Sequence, residues 1–314
     1  MTDTTHLQAP VRSMSLPVGI LKACRPKQWA KNVLILIAPA AAIGDGTLSL
    51  SGRTLAQVAL AFGVFSMVAS GTYLINDAVD VESDRRHPTK RNRPIAAGVV
   101  PVGLAYALAV LLIAGGLGLA LWRTWQFALV VAIYVVQTTA YSYKLKNEPV
   151  LDVVALSGGF ILRLLGGATA VEVGISQWFF ILSCFGSLFI AVGKRLAEKR
   201  ELDAHAGEGA AGSFRKTLGI YTIPYLRFLQ GVSAAIVLVG YAEWAFERAS
   251  EQPDGGAWVA ASILPFLVAI LRYALLVETG QGSAPEEVLL SDRQMQLMGV
   301  IWAVLVGVGF LVAR

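Results

Sequence analysis

At 55% hydrophobic and only 15% charged over 314 residues, with a mean hydropathy of +0.61, the chain is too apolar for a soluble domain, which carries about a quarter charged residues. Two cysteines, Cys24 and Cys184, exclude a disulfide framework, and three scattered histidines (His6, His87, His205) exclude a histidine metal centre. The net charge of +5 matters less than where the charges sit.

Residues 1–17 are expected to form a disordered tail, followed by a single transmembrane domain over 18–314. The composition predicts an all-α polytopic membrane protein. Apolar runs of roughly 17–25 residues span a bilayer, and nine are predicted, at about 28–44, 54–77, 100–121, 125–143, 150–171, 176–194, 222–246, 258–277 and 295–313. The first has a short apolar core, Val33 to Ile43, interrupted by Pro39. The long polar region before it, with Trp29 and Lys31 as interfacial anchors, favours a span over a cleaved signal segment.

Lys and Arg gather on one side of these spans. They fill the tail (Arg12, Lys22, Arg25, Lys27, Lys31), the 78–99 loop (Arg85, Arg86, Lys90, Arg91, Arg93), the 143–150 loop (Lys144, Lys146) and the 193–221 loop, which begins at Lys194 and Arg195. Only Arg53, Arg123, Arg248 and Arg314 fall on the other side. The positive-inside rule therefore predicts a cytoplasmic N-terminus and an external C-terminus.

The second span runs into Asn76-Asp77-Ala78-Val79-Asp80-Val81-Glu82-Ser83-Asp84. On a helix, Asp77 and Asp84 would lie about 20° apart, and Asp80 about 60° from Asp77. Three carboxylates on one face repel, and hydrocarbon beside them raises the cost. A hard divalent cation with oxygen ligands, Mg2+ shared with a phosphorylated substrate, removes the conflict. The loop that follows carries Lys90 and Arg93 among its five cations, suited to binding metal and phosphate together.

A second patch on the same side runs from Tyr141 through Lys144, Lys146 and Glu148 to Asp152. Pro149 is expected to open the fifth span, leaving Glu148 in the loop and Asp152 on the helix. Asp152 is either a ligand or a helix-start acid facing the macrodipole. Arg163, about 16 Å further along that helix, must face a polar cavity or an anion, and an anion-binding role is favoured over a structural ion pair. Lys194 and Arg195 end the sixth span, as phosphate ligands or as interfacial anchors. Residues 196–221 are read as a charged loop long enough to cover the site as a lid.

Asn76-Asp77-x-x-Asp80-x-x-x-Asp84 after the second span, with Tyr141-x-x-x-x-Lys146 and an acidic segment after the fourth, resembles the UbiA superfamily of intramembrane prenyltransferases. Three further motifs resemble a branch that transfers phosphoribosyl to a polyprenyl phosphate. They are Arg25-Pro26-x-Gln28-Trp29-x-Lys31-Asn32, His87-Pro88-Thr89-Lys90-x-x-Arg93-Pro94 and Gly193-Lys194-Arg195-x-x-Glu198. The weakened second acidic motif, in which only Asp152 is firm, fits a diphosphate donor that is not the lipid.

The resemblance implies nine helices around a central cavity facing the cytoplasm, in the inner membrane of a bacterium, and it suggests a homotrimer. It implies phosphoribosyl diphosphate as donor and polyprenyl phosphate as acceptor, in making a lipid precursor of cell-wall arabinan. Asp77, Asp80 and Asp84 would hold Mg2+, and Asn76 and Tyr141 would contact the donor region. Lys90, Arg93, Lys144 and Lys146 are candidates for donor phosphates. Lys27, Arg163 and Lys194 are candidates for the acceptor phosphate or the donor. The rival activities are prenyl transfer to an aromatic acceptor and transport, the latter disfavoured by the lack of an internal repeat. The basic loops need no nucleic acid to explain them, because they adjoin a membrane surface.

Overall fold

The computed structural model describes residues 14–87, 89–204, 216–251, 253–280, 288 and 291–313. The expected disordered tail lies almost wholly outside these residues. Every regular element among them is helical.

In chain order, a short helix α1 (Leu16–Ala23) leads into a 3-10 segment, Pro26–Leu36, and then α2 (Ile37–Gly44). The long helices follow: α3 (Gly52–Val79), the short α4 (Val81–Arg86), α5 (Val102–Arg123), α6 (Trp125–Tyr143), α7 (Leu151–Val171) and α8 (Gln177–Ala204). The remainder are α9 (Lys216–Ile220), α10 (Ile223–Glu251), α11 (Pro253–Ala261), α12 (Ile263–Glu278) and α13 (Arg293–Val312).

Seven spans among the described residues are long and apolar enough to cross a membrane, α11 and α12 counting as one. The expected nine are therefore not all present as such helices. The first expected span, 28–44, is the 3-10 segment plus the eight-residue α2, too short to cross. Its polar side chains explain why: Trp29 Nε1 donates to Ser70 Oγ at 3.1 Å and Asn32 Nδ2 to Ser66 Oγ at 3.0 Å, so one face of the segment is held against α3. The expected fourth span is α6, a 19-residue helix whose Gln126, Gln137, Thr138 and Thr139 lower its apolar character. The eighth is broken at Ser262.

Helix starts follow local chemistry. Ser51 Oγ caps α3 by accepting from Thr54 N–H, Thr124 Oγ1 caps α6 from Phe127 N–H, and Asp292 caps α13 from Met295 N–H. Pro149 does not open α7, contrary to expectation. The helix begins two residues later, after Val150 takes a left-handed φ of +69° and donates its N–H to Tyr221 Oη at 2.7 Å.

The α3 helix sits at the centre of one half, packed on α5, α6, α7 and the 3-10 segment. Phe65, Phe127, Tyr134 and Leu162 fill that core. Here α7 comes close because two residues lack side chains: a Cβ at Gly166 would strike the Phe65 ring, and one at Gly167 would overlap the Ile35 carbonyl. The other half joins α8, α10 and α12 through Phe189, Leu196, Leu226, Tyr273 and Val277.

The expected lid over 196–221 is corrected in part. α8 continues unbroken to Ala204, supported by the Arg195–Glu198 and Lys199–Asp203 pairs at helical spacing. Residues 205–215 lie outside the described residues.

Candidate active site

A cavity of about 460 Å3 opens between the end of α3, α4, α6, α7 and the N-terminal segment. Two helices line it, each with a single face. From α6 come Tyr134, Gln137, Thr138 and Tyr141, at helical i, i+3, i+4, i+7 spacing. From α7 come Ala155, Leu156, Gly159, Phe160 and Arg163, which make the wall part apolar.

Six cations line this space: Arg25, Lys31, Lys90, Arg93, Lys146 and Arg163. They face two acids, Asp80 and Asp84. The excess of positive charge in a partly enclosed cavity suits an anionic ligand of several charges. His87, also in the wall, accepts on Nδ1 from the N–H groups of Thr89 and Lys90, at 3.3 Å each. Partial burial, and then the Lys90 charge, hold it below the ordinary value of 6.5, so the ring is neutral at pH 7.

The acidic motif does not lie on one continuous helical face as expected. The helix breaks at Asp80, which ends α3 and precedes α4. The break is mild, since Asp80 N–H still donates to the Asn76 carbonyl and Asp84 N–H to the Asp80 carbonyl. Asp77 and Asp84 accordingly stay neighbours and share one nitrogen of Arg93, at 3.1 and 2.7 Å. Arg25 adds a second cation on Asp77 at 2.5 Å, with its guanidinium over the Tyr73 ring. Asp77 is 2% exposed and lies behind the cavity wall. Asp80 turns the other way, with both oxygens 3.1 Å from Lys146 Nζ.

Among the described residues no three acids, histidines or cysteines converge to hold a metal unaided. Asp80 and Asp84 nevertheless present hard oxygen donors to the cavity. That donor set fits Mg2+, which is commonly held by one or two carboxylates plus substrate phosphates.

Of the residues expected in the site, Asn76, Asp80, Asp84, Lys90, Arg93, Tyr141, Lys146 and Arg163 line the cavity. Arg163 does so while engaged by the protein: it donates to Asn32 Oδ1, to the Gly159 carbonyl and to Tyr134 Oη, at 2.7–2.8 Å. Lys27, Lys144, Lys194 and Asp152 do not line it. Lys27 and Lys144 are exposed.

Asp152 is fully buried in a separate hub. Arg195 Nε donates to it at 2.8 Å, Thr217 at 3.3 Å, and Tyr221 Oη donates to its other oxygen. Burial and that bond keep the Tyr221 phenol protonated by pushing it above its ordinary range. The remaining nitrogens of Arg195 bond Glu198 and Tyr141, at 2.5 and 2.9 Å. Through Tyr141 the hub reaches the cavity wall.

Arg25, Lys31, Tyr134, Gln137 and Thr138 were missed as site residues. The α6 group was visible as a polar stripe at helical spacing within an apolar span, and the two cations as members of the Arg25-to-Asn32 motif.

The sequence model of the UbiA prenyltransferase family matches residues 33–300. The decaprenyl-phosphate phosphoribosyltransferase of Corynebacterium glutamicum is 48% identical over 290 residues, covering 92% of this chain and 85% of that protein. The protein of the same name from Mycobacterium tuberculosis is 45% identical over 309 residues, covering 98% of each. A UbiA homolog from Archaeoglobus fulgidus, solved bound to GPP and Mg2+, superposes with a TM-score of 0.66 at 18% identity, over 94% of this chain and 99% of that one. With a fold shared along nearly its whole length and a family match over most of its residues, the chain belongs to the UbiA prenyltransferase family.

Proposed function

We propose that the protein transfers the 5-phosphoribosyl group of phosphoribosyl diphosphate to decaprenyl phosphate and releases diphosphate. The observation that carries this is the cavity's cationic excess, in a chain nearly half identical over its length to relatives named for that reaction. A phosphate monoester carries up to about two negative charges. A donor with both a 5-phosphate and a diphosphate, meeting a lipid phosphate, thus needs more cations than a single prenyl diphosphate does.

The lipid phosphate oxygen attacks ribose C1 and the diphosphate leaves. The nucleophile is already an anion near neutral pH, so the cavity needs no general base. Catalysis rests on placing the two anions together and on stabilising the leaving group. Asp80 and Asp84 would hold Mg2+, which would neutralise charge on the departing diphosphate. Arg93, Lys90 and Lys146, at the mouth, bind donor phosphate oxygens. Arg25 and Lys31 extend the cationic wall from the N-terminal segment, while Asn76 and Tyr141 offer hydrogen bonds to the donor. The apolar residues Leu156 and Phe160 offer the side on which a prenyl chain enters. The basic loops that supply the mouth support a cytoplasmic orientation for the cavity.

The test is to incubate purified protein with phosphoribosyl diphosphate, decaprenyl phosphate and Mg2+, and to assay both diphosphate and the phosphoribosyl lipid. Both should form in equal amounts, and chelation with EDTA should stop them. If neither appears, while geranyl diphosphate is consumed with an aromatic acceptor, the assignment fails.

A further inference from the structure

At the other end of α3 lies a second hollow, of about 590 Å3, lined by Arg53, Ala56, Gln57, Leu60, Trp122 and Arg123. We propose that it binds the phosphate headgroup of an anionic phospholipid. From Arg53 to Asn76 the helix rises about 35 Å, so this hollow lies at the membrane surface opposite the catalytic cavity.

The chemistry of Arg123 points to a missing anion. Its Nε and Nη2 are buried and have no hydrogen-bond partner among the described residues. Among the described residues its one ion pair runs from Nη1 to Glu172 at 3.3 Å, and Glu172 is 57% exposed. A buried guanidinium with two of three nitrogens unanswered is costly, and an acid on the solvent side does not repair it. Arg53 stands in the first turn of α3 and faces the same space, and Gln57 one turn on adds an amide. Two guanidiniums and an amide offset by one exposed carboxylate suit a phosphate monoanion.

The rest of the lining selects a lipid over a soluble ion. Ala56 and Leu60 continue the wall along α3 toward the membrane interior. Trp122, 78% exposed at the end of α5, has the amphipathic ring that settles at the headgroup level. The hollow is far larger than one phosphate, and its apolar wall is placed to receive the start of an acyl chain.

The experiment is native mass spectrometry of the full-length protein in detergent, titrated with phosphatidylglycerol, with phosphatidylcholine, and with inorganic phosphate as competitor. Phosphatidylglycerol should bind about tenfold tighter than phosphatidylcholine, whose phosphate is the same but whose choline cation is repelled by the two guanidiniums. Arg53→Ala and Arg123→Gln should each remove that preference. Arg248→Ala, a control arginine outside the hollow, should leave it intact. If Arg123→Gln does not fold, Arg53→Ala, in an exposed turn, decides alone. Equal affinity for the two lipids overturns the proposal. So does full competition by millimolar phosphate, which would mark a soluble-anion site, and so does an equal loss in Arg248→Ala, which would mark general surface charge.

Discussion

Lys146 Nζ lies 3.1 Å from both carboxylate oxygens of Asp80, tying the loop after α6 to the break between α3 and α4 across 66 residues of sequence. Each partner lines the cavity, and each has a separate task once substrate arrives. Asp80→Asn should lower kcat by about two to three orders of magnitude, the scale of losing one electrostatic stabiliser of a leaving group. It should also raise the Mg2+ concentration needed for half activity. Lys146→Ala should instead raise the donor KM by about tenfold, the worth of one charge-assisted hydrogen bond, with a smaller effect on kcat. Steady-state kinetics with varied donor and Mg2+ separate the two, and an unchanged Asp80→Asn enzyme would remove Asp80 from the site.

The hub around Asp152 makes a different prediction. Asp152→Ala removes the fully buried one of the two carboxylates on Arg195 and leaves it only the partly exposed Glu198, so the cost falls at the lower end of the roughly 3–5 kcal/mol for breaking a buried pair. Thermal unfolding in detergent should show a large loss for this variant. The double variant Asp152→Leu with Arg195→Met should recover much of it, because the two fully buried charges leave together and Glu198, their partly exposed neighbour, keeps contact with solvent. A double variant as unstable as the single one would show that the hub is needed for more than charge balance.

Gly167→Ala tests the seating of the N-terminal segment. A methyl there overlaps the Ile35 carbonyl, a backbone atom that cannot rotate away. The expected cost is about 1–3 kcal/mol in stability. Activity should fall further than stability alone explains, since the same segment carries Arg25 and Lys31 into the cavity. Gly174→Ala, where nothing lies within 4 Å, is the matched control.

The pH profile should carry a signature of His87. Its value is held below 6.5, so the neutral ring and the turn it organises are fully present above 6.5 and are lost as pH falls through the lowered value. Protonation removes the acceptor that holds the Thr89 and Lys90 amides. Donor KM should therefore rise on the acid side. His87→Gln should flatten that part of the profile and leave the contribution of the substrate phosphates. Superimposable profiles for the two proteins would remove His87 from this role.

The long apolar runs made most of the fold legible, and the ends of α3, α5, α7 and α13 fall within about two residues of expectation. Composition misjudged what lies between the runs. Segment 28–44 is apolar enough to suggest a span, but Asn32 and Trp29 have partners on α3, more than thirty residues away, which no local pattern reveals. α8 overran its expected end because a helix can outlast the membrane when its charges pair i to i+3 or i+4. In the site, Asp80 and Asp84 reach the cavity because the i to i+4 hydrogen bonds carry on across the helix break, while Arg93 and Lys146 come from connecting segments and are held there by ion pairs to Asp84 and Asp80. Asp152 is drawn away by Arg195, 43 residues distant, and that pairing is a tertiary fact.

The polar stripe from Tyr134 to Tyr141 runs about 10 Å along α6, seven residues of rise. A lipid whose phosphate travels that furrow must sink below the plane of its neighbours while its hydrocarbon stays among them. Recognition is then concentrated at the head, and the tail is held by the bilayer itself. An enzyme so built would tolerate acceptors that differ in isoprene number far better than acceptors that differ in charge.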